Sequence, residues 1–311
     1  MKPIITVTMN PALDKTVTVE QFIPAGLNRI KTVRTDPGGK GINVAKVLKQ
    51  FGAPVSAWGI QAGHEGRMLM EMLEAAQIPA HFLEAEGKSR TNLKVVDEET
   101  RQTTELNEPG VTPSESLLRE LVSQLDASMR DTSLLVLAGS LPPGTPPDFY
   151  GRLIAIASTH GVPTILDADG TALAAGLEAV PYAVKPNIHE LEALLGRTLT
   201  TDEQVIEAAR GLQAGGIKLV AVSMGAAGSI LVGEQEVYRA RPFPITPMST
   251  VGAGDSMVAA MAYCLSQGKT LEETARWTTA AGTVTASKPG TEVCSLAEVQ
   301  AKLAAVSLEH L

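Results

Sequence analysis

Short apolar runs alternate with stretches of helical periodicity over most of the chain. Ile4 to Thr8 reads as a strand, and Gly41 to Phe51 as a helix with Val44, Val47 and Leu48 on one face. Val55 to Ile60 predicts a second strand and His64 to Ala76 a second helix. Further along, Leu134 to Ala138, Thr164 to Asp167, Tyr182 to Lys185 and Leu219 to Ser223 are short enough and apolar enough to be buried strands. Helical patterns at 147–159, 188–195 and 202–214 separate them. This β-α-β alternation predicts an α/β fold, with a mostly parallel central sheet flanked by helices. The C-terminal part reads as helical over 254–266, 271–287 and 296–306.

Two stretches, about 14–36 and 88–108, break the pattern by alternating apolar with polar residues around turn signals. They predict antiparallel strands with one wet face, gathered into a small inserted β-sheet over one edge of the core. Such a sheet would act as a lid over a cleft; an edge hairpin pair with no gating role is the plainer alternative. No internal repeat or low-complexity linker divides the chain, so residues 1–311 are expected to form a single domain. The strands of the small sheet would leave exposed edges, which suits a homodimer formed through it.

Composition narrows the function classes. Hydrophobic residues make up 44% and charged residues 19% of 311, the balance of a globular enzyme. A net charge of −8 argues against a nucleic-acid partner or a membrane surface, although a few local cations could still hold an anionic small molecule. Cys264 and Cys294 have neither metal-ligand nor disulfide-framework spacing and are read as reduced thiols. With no signal-peptide pattern at the start and no long apolar span, the expected compartment is the cytoplasm.

The sharpest chemical signal is Ser249-Thr250-Val251-Gly252-Ala253-Gly254-Asp255-Ser256, leading into an apolar helix. Glycines before a helix let consecutive N–H groups point into one concavity, and the helix dipole adds to the resulting anion hole. An acid at the rim of such a hole would repel a phosphate ligand. It makes sense as a base that takes a proton from an attacking hydroxyl, with the neighbouring N–H groups keeping it ionised. Simple helix capping by Asp255 is the local alternative.

Thr250 to Asp255 (TVGAGD) resembles the second signature of the ribokinase-like carbohydrate kinases; Asp14 with Gly38-Gly39-Lys40-Gly41-Ile42-Asn43-Val44-Ala45 resembles the first. The resemblance spans essentially the whole chain and implies a ribokinase-like fold. It further implies that Asp14 and Asn43 bind sugar hydroxyls, that Gly38 and Gly39 lie against the sugar, and that Asp255 is the catalytic base. In Lys185-Pro186-Asn187-Ile188-His189-Glu190 it implies Lys185 near the ATP phosphates, with Asn187 and Glu190 placing Mg2+ through water, although a plain helix start fits the same residues. Ser223, Gly225 and Gly228 match the family's ATP loop, while Gly252, Ala253 and Gly254 would form the anion hole. The family often uses a monovalent cation such as K+, for which the carbonyls of Ser249, Val251 and Gly290 are candidates.

Cations in the sugar region set the substrate class. Arg29 and Arg90 lie in the two lid segments and Lys40 in the sugar loop, and together they would clamp a phosphate already on the sugar, although each taken separately also reads as a solvated surface cation. Asn28-Arg29, Gly38 to Val47, Ser89 to Lys94, Gly139-Ser140-Leu141-Pro142 and Ser249 to Met257 resemble the phosphofructokinase branch of the family, with Ser140 among the sugar contacts. Gly-Gly-Lys-Gly and the Thr104 to Gly110 run look most like 1-phosphofructokinase. Gly290-Thr291 with Cys294-Ser295 is closer to the minor 6-phosphofructokinases, from some of which Leu27 departs. The resemblance therefore implies ATP-dependent conversion of fructose 1-phosphate to fructose 1,6-bisphosphate. A 6-phosphofructokinase or tagatose-6-phosphate kinase is the first alternative, a neutral-sugar or nucleoside kinase the second, and a non-catalytic sugar-phosphate-binding regulator the third.

Overall fold

A computed structural model of the chain describes residues 2–311. The N-terminal part runs β1 (Ile4–Thr8), β2 (Ala12–Val19), β3 (Ile30–Gly38), α1 (Lys40–Gln50), β4 (Val55–Ala62), α2 (Gly63–Ala75), β5 (Ala80–Ala85), β6 (Arg90–Asp97) and β7 (Thr103–Asn107). The middle follows with α3 (Glu115–Ser128), β8 (Leu134–Ala138), α4 (Phe149–Thr159), β9 (Thr164–Asp167), α5 (Gly170–Glu178), β10 (Ala183–Val184), α6 (Ile188–Leu195) and α7 (Asp202–Ala214). The rest comprises β11 (Leu219–Ser223), β12 (Ser229–Val232), β13 (Val237–Arg241), α8 (Ala253–Ser266), α9 (Leu271–Ala286), α10 (Leu296–Lys302) and β14 (Ser307–His310).

Ten strands form one sheet in the order β14-β13-β12-β11-β10-β9-β8-β1-β4-β5. The strands from β5 to β11 in that order are parallel, and β12, β13 and β14 complete it antiparallel. Parallel strands are covered on both faces, which is why β8 is apolar at every position. Its Leu134, Val136 and Ala138 join the core under α1, α8 and α9, whereas Leu135 and Leu137 join the core under α3 and α4. Sidedness of successive Cβ atoms thus divides one continuous apolar run between two cores.

The second sheet has the order β3-β2-β6-β7. Its two hairpins are antiparallel as expected, but β2 and β6 join them through a parallel pair. A parallel pair needs a long crossover, here supplied by α1, β4, α2 and β5. The expected long C-terminal helix is also corrected. It ends at Lys302, passes through one 3-10 turn and extends the large sheet with β14. Sequence periodicity missed α3 and α5. The latter is a nine-residue helix of small apolar residues (GTALAAGLE) with little polar contrast between its faces.

Helix α1 lies unusually close to β1. A Cβ on Gly41 would stand 2.6 Å from the Val7 carbonyl oxygen and would also strike the Thr8 hydroxyl. Substituting Gly41→Ala is expected to destabilise the fold by about 1–3 kcal/mol, as overpacking does, and to lift the start of α1 off the sheet. Denaturant unfolding with an unchanged m-value would measure the first effect.

Candidate active site

The parallel strands β1, β8, β9 and β10 deliver their carboxyl ends to one edge of the sheet, where α1 and α8 begin, and the polar groups predicted from sequence gather there. Gly252 adopts a left-handed conformation with φ 77° and turns the chain into α8. Ala253 and Gly254 open that helix, and Asp255 follows at 7% exposure. Asn43, in the first turn of α1, donates from Nδ2 to Asp255 Oδ2 at 2.8 Å. Two halves of the chain, 212 residues apart in sequence, meet in this contact.

Asp167, which ends β9 and was not singled out from the sequence, organises the surrounding charge. It is 1% exposed, and its Oδ1 faces Lys40 Nζ at 3.3 Å and Lys185 Nζ at 3.5 Å. Its Oδ2 is buried with no hydrogen-bond partner. Lys40 Nζ also lies 3.8 Å from Glu190, and Lys185 Nζ lies 3.7 Å from the place a Gly254 Cβ would occupy. Burial opposes the charge on Lys40, yet Asp167, then Glu190 and Asp255, hold its ammonium well above the ordinary lysine value. Burial, followed by the negative charge of Asp167, pushes the Asp255 carboxyl up to about 6. The Asn43 hydrogen bond and the Lys40 and Lys185 charges work against that rise. The expectation was that neighbouring N–H groups keep Asp255 ionised; the groups that oppose its desolvation are the Asn43 side-chain amide and the charges of Lys40 and Lys185.

On the other side of the cleft lies one face of the small sheet. Asp14 on β2 accepts from Asn92 Nδ2 at 3.0 Å and from Lys94 Nζ at 3.0 Å, both on β6. Gly38 ends β3 alongside it, and Gly39 connects to α1. Arg90 opens β6 and donates from Nε to the Asn10 carbonyl at 3.1 Å. Gly139 and the half-buried Ser140 follow β8, tied to β9 by Gly139 N–H donating to Asp167 O at 3.0 Å.

Asn187 and Glu190 form a reciprocal capping box on α6. Glu190 N–H donates to Asn187 Oδ1 at 2.9 Å, and Asn187 N–H donates to Glu190 Oε2 at 2.8 Å. The capping alternative is therefore realised, with Glu190 Oε1 still turned toward Lys40. Ser223 ends β11 and bridges to Asn187, after which Gly225 and Gly228 bound a short turn leading to β12. Among the described residues no group of three or more metal-ligating side chains exists. The donors at hand are Glu190 Oε1 and the unpartnered Asp167 Oδ2, a sparse set that suits a hydrated Mg2+ arriving on phosphates rather than a protein-caged ion. Ser249 and Val251 precede α8, Gly290 follows α9, and Met248 N–H donating to Ala286 O at 2.9 Å ties the two segments together.

One predicted group does not converge. Arg29 is exposed beside Ile30, at the end of the small sheet where Val19 pairs, whereas Arg90 and Gly38 pair with Ala12 at the other end. Seven residues of strand separate these ends by roughly 23 Å, so the three-cation clamp is not formed within one chain. Asn92, Lys94 and Asp167 were missed although signals for them existed. The period-two pattern puts Asn92 and Lys94 on the Arg90 side of β6, and Asp167 is an acid ending a buried strand at the carboxyl edge of a parallel sheet. A cavity of about 610 Å³ lined by Pro54, Trp58 and His81 opens at the opposite edge and carries none of this chemistry.

Comparison with known proteins agrees with this geometry. The pfkB family carbohydrate kinase profile matches residues 7–298. A 1-phosphofructokinase from Xanthomonas campestris is 41% identical over 281 residues, covering 89% of this chain and 88% of that protein. The ATP-dependent 6-phosphofructokinase isozyme 2 of Escherichia coli is 35% identical over 302 residues, covering 96% and 97%. The crystal structure of Escherichia coli phosphofructokinase-2 in complex with potassium superposes with a TM-score of 0.93 at 35% identity, covering 98% of this chain and 99% of that one. A tetrameric inhibited form of the same protein superposes with a TM-score of 0.91 at 35% identity, covering 98% and 99%.

The Asp255 environment has a measurable signature. In the free protein its carboxyl is expected to titrate near pH 6 by carbon-detected NMR. Asn43→Ala removes a group that favours the ionised form, so the midpoint is expected to move upward.

Proposed function

Because the chain belongs to the pfkB family of carbohydrate kinases, we propose that it phosphorylates fructose 1-phosphate to fructose 1,6-bisphosphate with Asp255 as the base. At the coarser level it is an ATP-dependent sugar-phosphate kinase of phosphofructokinase type. The observation that carries the finer reading is the buried Asp255 at the amino end of α8, held by Asn43 and flanked by Lys40 and Lys185. Relatives named 1-phosphofructokinase at 41% and 42% identity favour fructose 1-phosphate over the 6-phosphates.

Transfer is in line. The sugar 6-hydroxyl oxygen bonds to the γ-phosphorus as the bond to the β–γ bridging oxygen breaks, leaving ADP, and the hydroxyl proton passes to Asp255. The amides of Gly252 and Gly254 would face the moving phosphoryl group, whereas the expected third amide, that of Ala253, donates to the Thr250 carbonyl at 3.3 Å; Lys185 and Lys40 offset the charge. Mg2+, held through water by Glu190 and Asp167, would supply further charge neutralisation on the nucleotide phosphates. A base of this kind contributes about 10²–10⁴-fold, and positioning by Asp14, Asn43, Gly38, Gly39, Arg90 and Ser140 supplies much of the rest. Ser223, Gly225 and Gly228 line the nucleotide side, with Asn187 fixing Glu190 through the capping box. A monovalent cation on the carbonyls of Ser249, Val251 and Gly290 would stiffen the loop that enters α8.

The small sheet serves as the lid in this reading. Arg34 on β3 reaches across to Thr291 at 3.4 Å and Glu292 at 3.8 Å, which supports a closed position against the body. Ile23, Leu27, Ile30, Val33 and Leu106 are exposed large apolar residues on this sheet or in its β2–β3 loop, which favours pairing with the small sheet of a second copy. Such pairing offers Arg29 a place in the partner's cleft that it lacks in its own.

Two experiments test the reading. Steady-state kcat/KM with ATP and Mg2+ for fructose 1-phosphate, fructose 6-phosphate and tagatose 6-phosphate is expected to favour the first. In parallel, Asp255→Asn should lose at least about 10²-fold in kcat while retaining affinity for both substrates. Preference for a 6-phosphate would move the attacking hydroxyl and keep the base; undiminished turnover by Asp255→Asn would remove the base. Asp167→Asn deletes a charge that raises the Asp255 carboxyl in the free protein, so the acid limb of the kcat/KM–pH profile should move below about pH 6.

A further inference from the structure

We infer that Asn92 is a second acceptor for a ring hydroxyl of the sugar, adjacent to Asp14, and that Lys94 locks Asp14 in position beside it. The inference rests on reading the cleft as a ketohexose-phosphate site, and it adds two residues that neither signature motif contains.

Register places them. In the parallel pair of β2 and β6, Ala12 stands opposite Arg90, Asp14 opposite Asn92, and Thr16 opposite Lys94. Alternate positions share a face, so Arg90, Asn92 and Lys94 project on the same side as Asp14. The intervening residues Val17, Leu93 and Val95 belong to a separate apolar cluster on the other side. The small sheet thus turns a polar face carrying Asp14 toward the ends of β1 and α1.

Chemistry fixes the orientation of the Asn92 amide. An ionised carboxylate only accepts, so Asn92 must present its NH2 to Asp14 Oδ1, 3.0 Å away, and turn its carbonyl oxygen elsewhere. That oxygen is buried and has no hydrogen-bond partner. Lys94, itself buried, occupies the other carboxylate oxygen at 3.0 Å. A Cβ on Gly38 would stand 2.5 Å from Asp14 Cγ, so only glycine at this place in β3 leaves room for the carboxylate where Asn92 and Lys94 hold it. The result is a rigid pair of acceptors, the residual lone pairs of Asp14 and the unfilled Asn92 Oδ1. Two neighbouring acceptors ask for two neighbouring donors, and a vicinal diol on a furanose ring supplies them.

The roles differ. Asn92 would touch the sugar, whereas Lys94 acts through Asp14 and is a positioning residue.

A substrate-side cycle tests this. The wild type and Asn92→Leu are assayed for kcat/KM with fructose 1-phosphate and with its 3-deoxy and 4-deoxy forms. For the wild type, one deoxy form should lose about tenfold, the worth of one neutral hydrogen bond. Asn92→Leu should lose about as much with the parent sugar and nothing further with that deoxy form, with the KM for ATP unchanged. Lys94→Met should raise the KM for the sugar, and Lys94→Arg should restore it in part. Should Asn92→Leu fold poorly, judged by its thermal midpoint, Asn92→Ser takes its place in the cycle. Equal deoxy penalties in wild type and variant, or no penalty for either deoxy form in the wild type, would overturn the inference and leave the kinase reading standing. Failure of the wild type to turn over fructose 1-phosphate, fructose 6-phosphate or tagatose 6-phosphate would overturn both.

Discussion

Asp167 brings two ammonium groups to one carboxylate oxygen inside the protein, and much of the architecture around the cleft is arranged so that it can. Lys40 begins α1, Lys185 follows β10, and Asp167 ends β9, so the contact fixes a helix start and two strand ends relative to one another. Desolvating three charges is costly, and a buried ion pair is a poor source of net stability. Its retention is better understood through what it does to the neighbours. The Asp167 charge makes Asp255 harder to ionise, the two lysines make it easier, and the balance leaves a carboxyl poised near 6. An oxygen of Asp167 left without a donor marks the same cluster as incomplete by itself.

The small sheet solves a different problem. Its strands are sided, with Val17, Val19 and Val95 packed with Phe22 on one face and Asp14, Arg90, Asn92 and Lys94 on the other. A sheet with one apolar and one polar face can pair with a like surface while presenting fixed polar groups to a small molecule. The parallel join between β2 and β6 matters here, because it sets Asp14 directly opposite Asn92 and brings two separate hairpins into one surface.

The sequence was most legible where local pattern and tertiary role coincide. β8, β9, β11, α6 and α7 have the expected boundaries because each is a short apolar run or a capped amphipathic segment bounded by turn residues. Asp255, Asn43 and Lys40 were singled out because glycine-rich strand-to-helix turns announce themselves, and Lys185 and Glu190 because Lys-Pro-Asn ends a buried strand at a helix start; the structure brings them to one edge of the sheet. α5 and β14 were not, the first for want of polar contrast and the second because Ser307–His310 has only one hydrophobic residue and becomes a strand by adding to an existing edge. Arg29 was misplaced because spacing along the chain does not reveal which end of a hairpin faces a cleft. Asp167 lay outside the quoted motifs, and Asn92 and Lys94 lay within the Ser89 to Lys94 stretch without being singled out; their placement depends on register and burial, which one sequence states only indirectly.

The order of strands in the large sheet has a consequence for how the protein is made. From β8 to β14, seven of the ten strands, spatial order follows chain order without exception, so each of these strands has its inner neighbour already synthesised when it emerges. The central β1 must wait for β4 and β8 before it is flanked on both sides. Asn43 waits longer still, since its partner Asp255 follows thirteen of the fourteen strands in the chain. A nascent chain can therefore hold most of its final shape while lacking the acid, and the poised carboxyl is created only when synthesis is nearly complete.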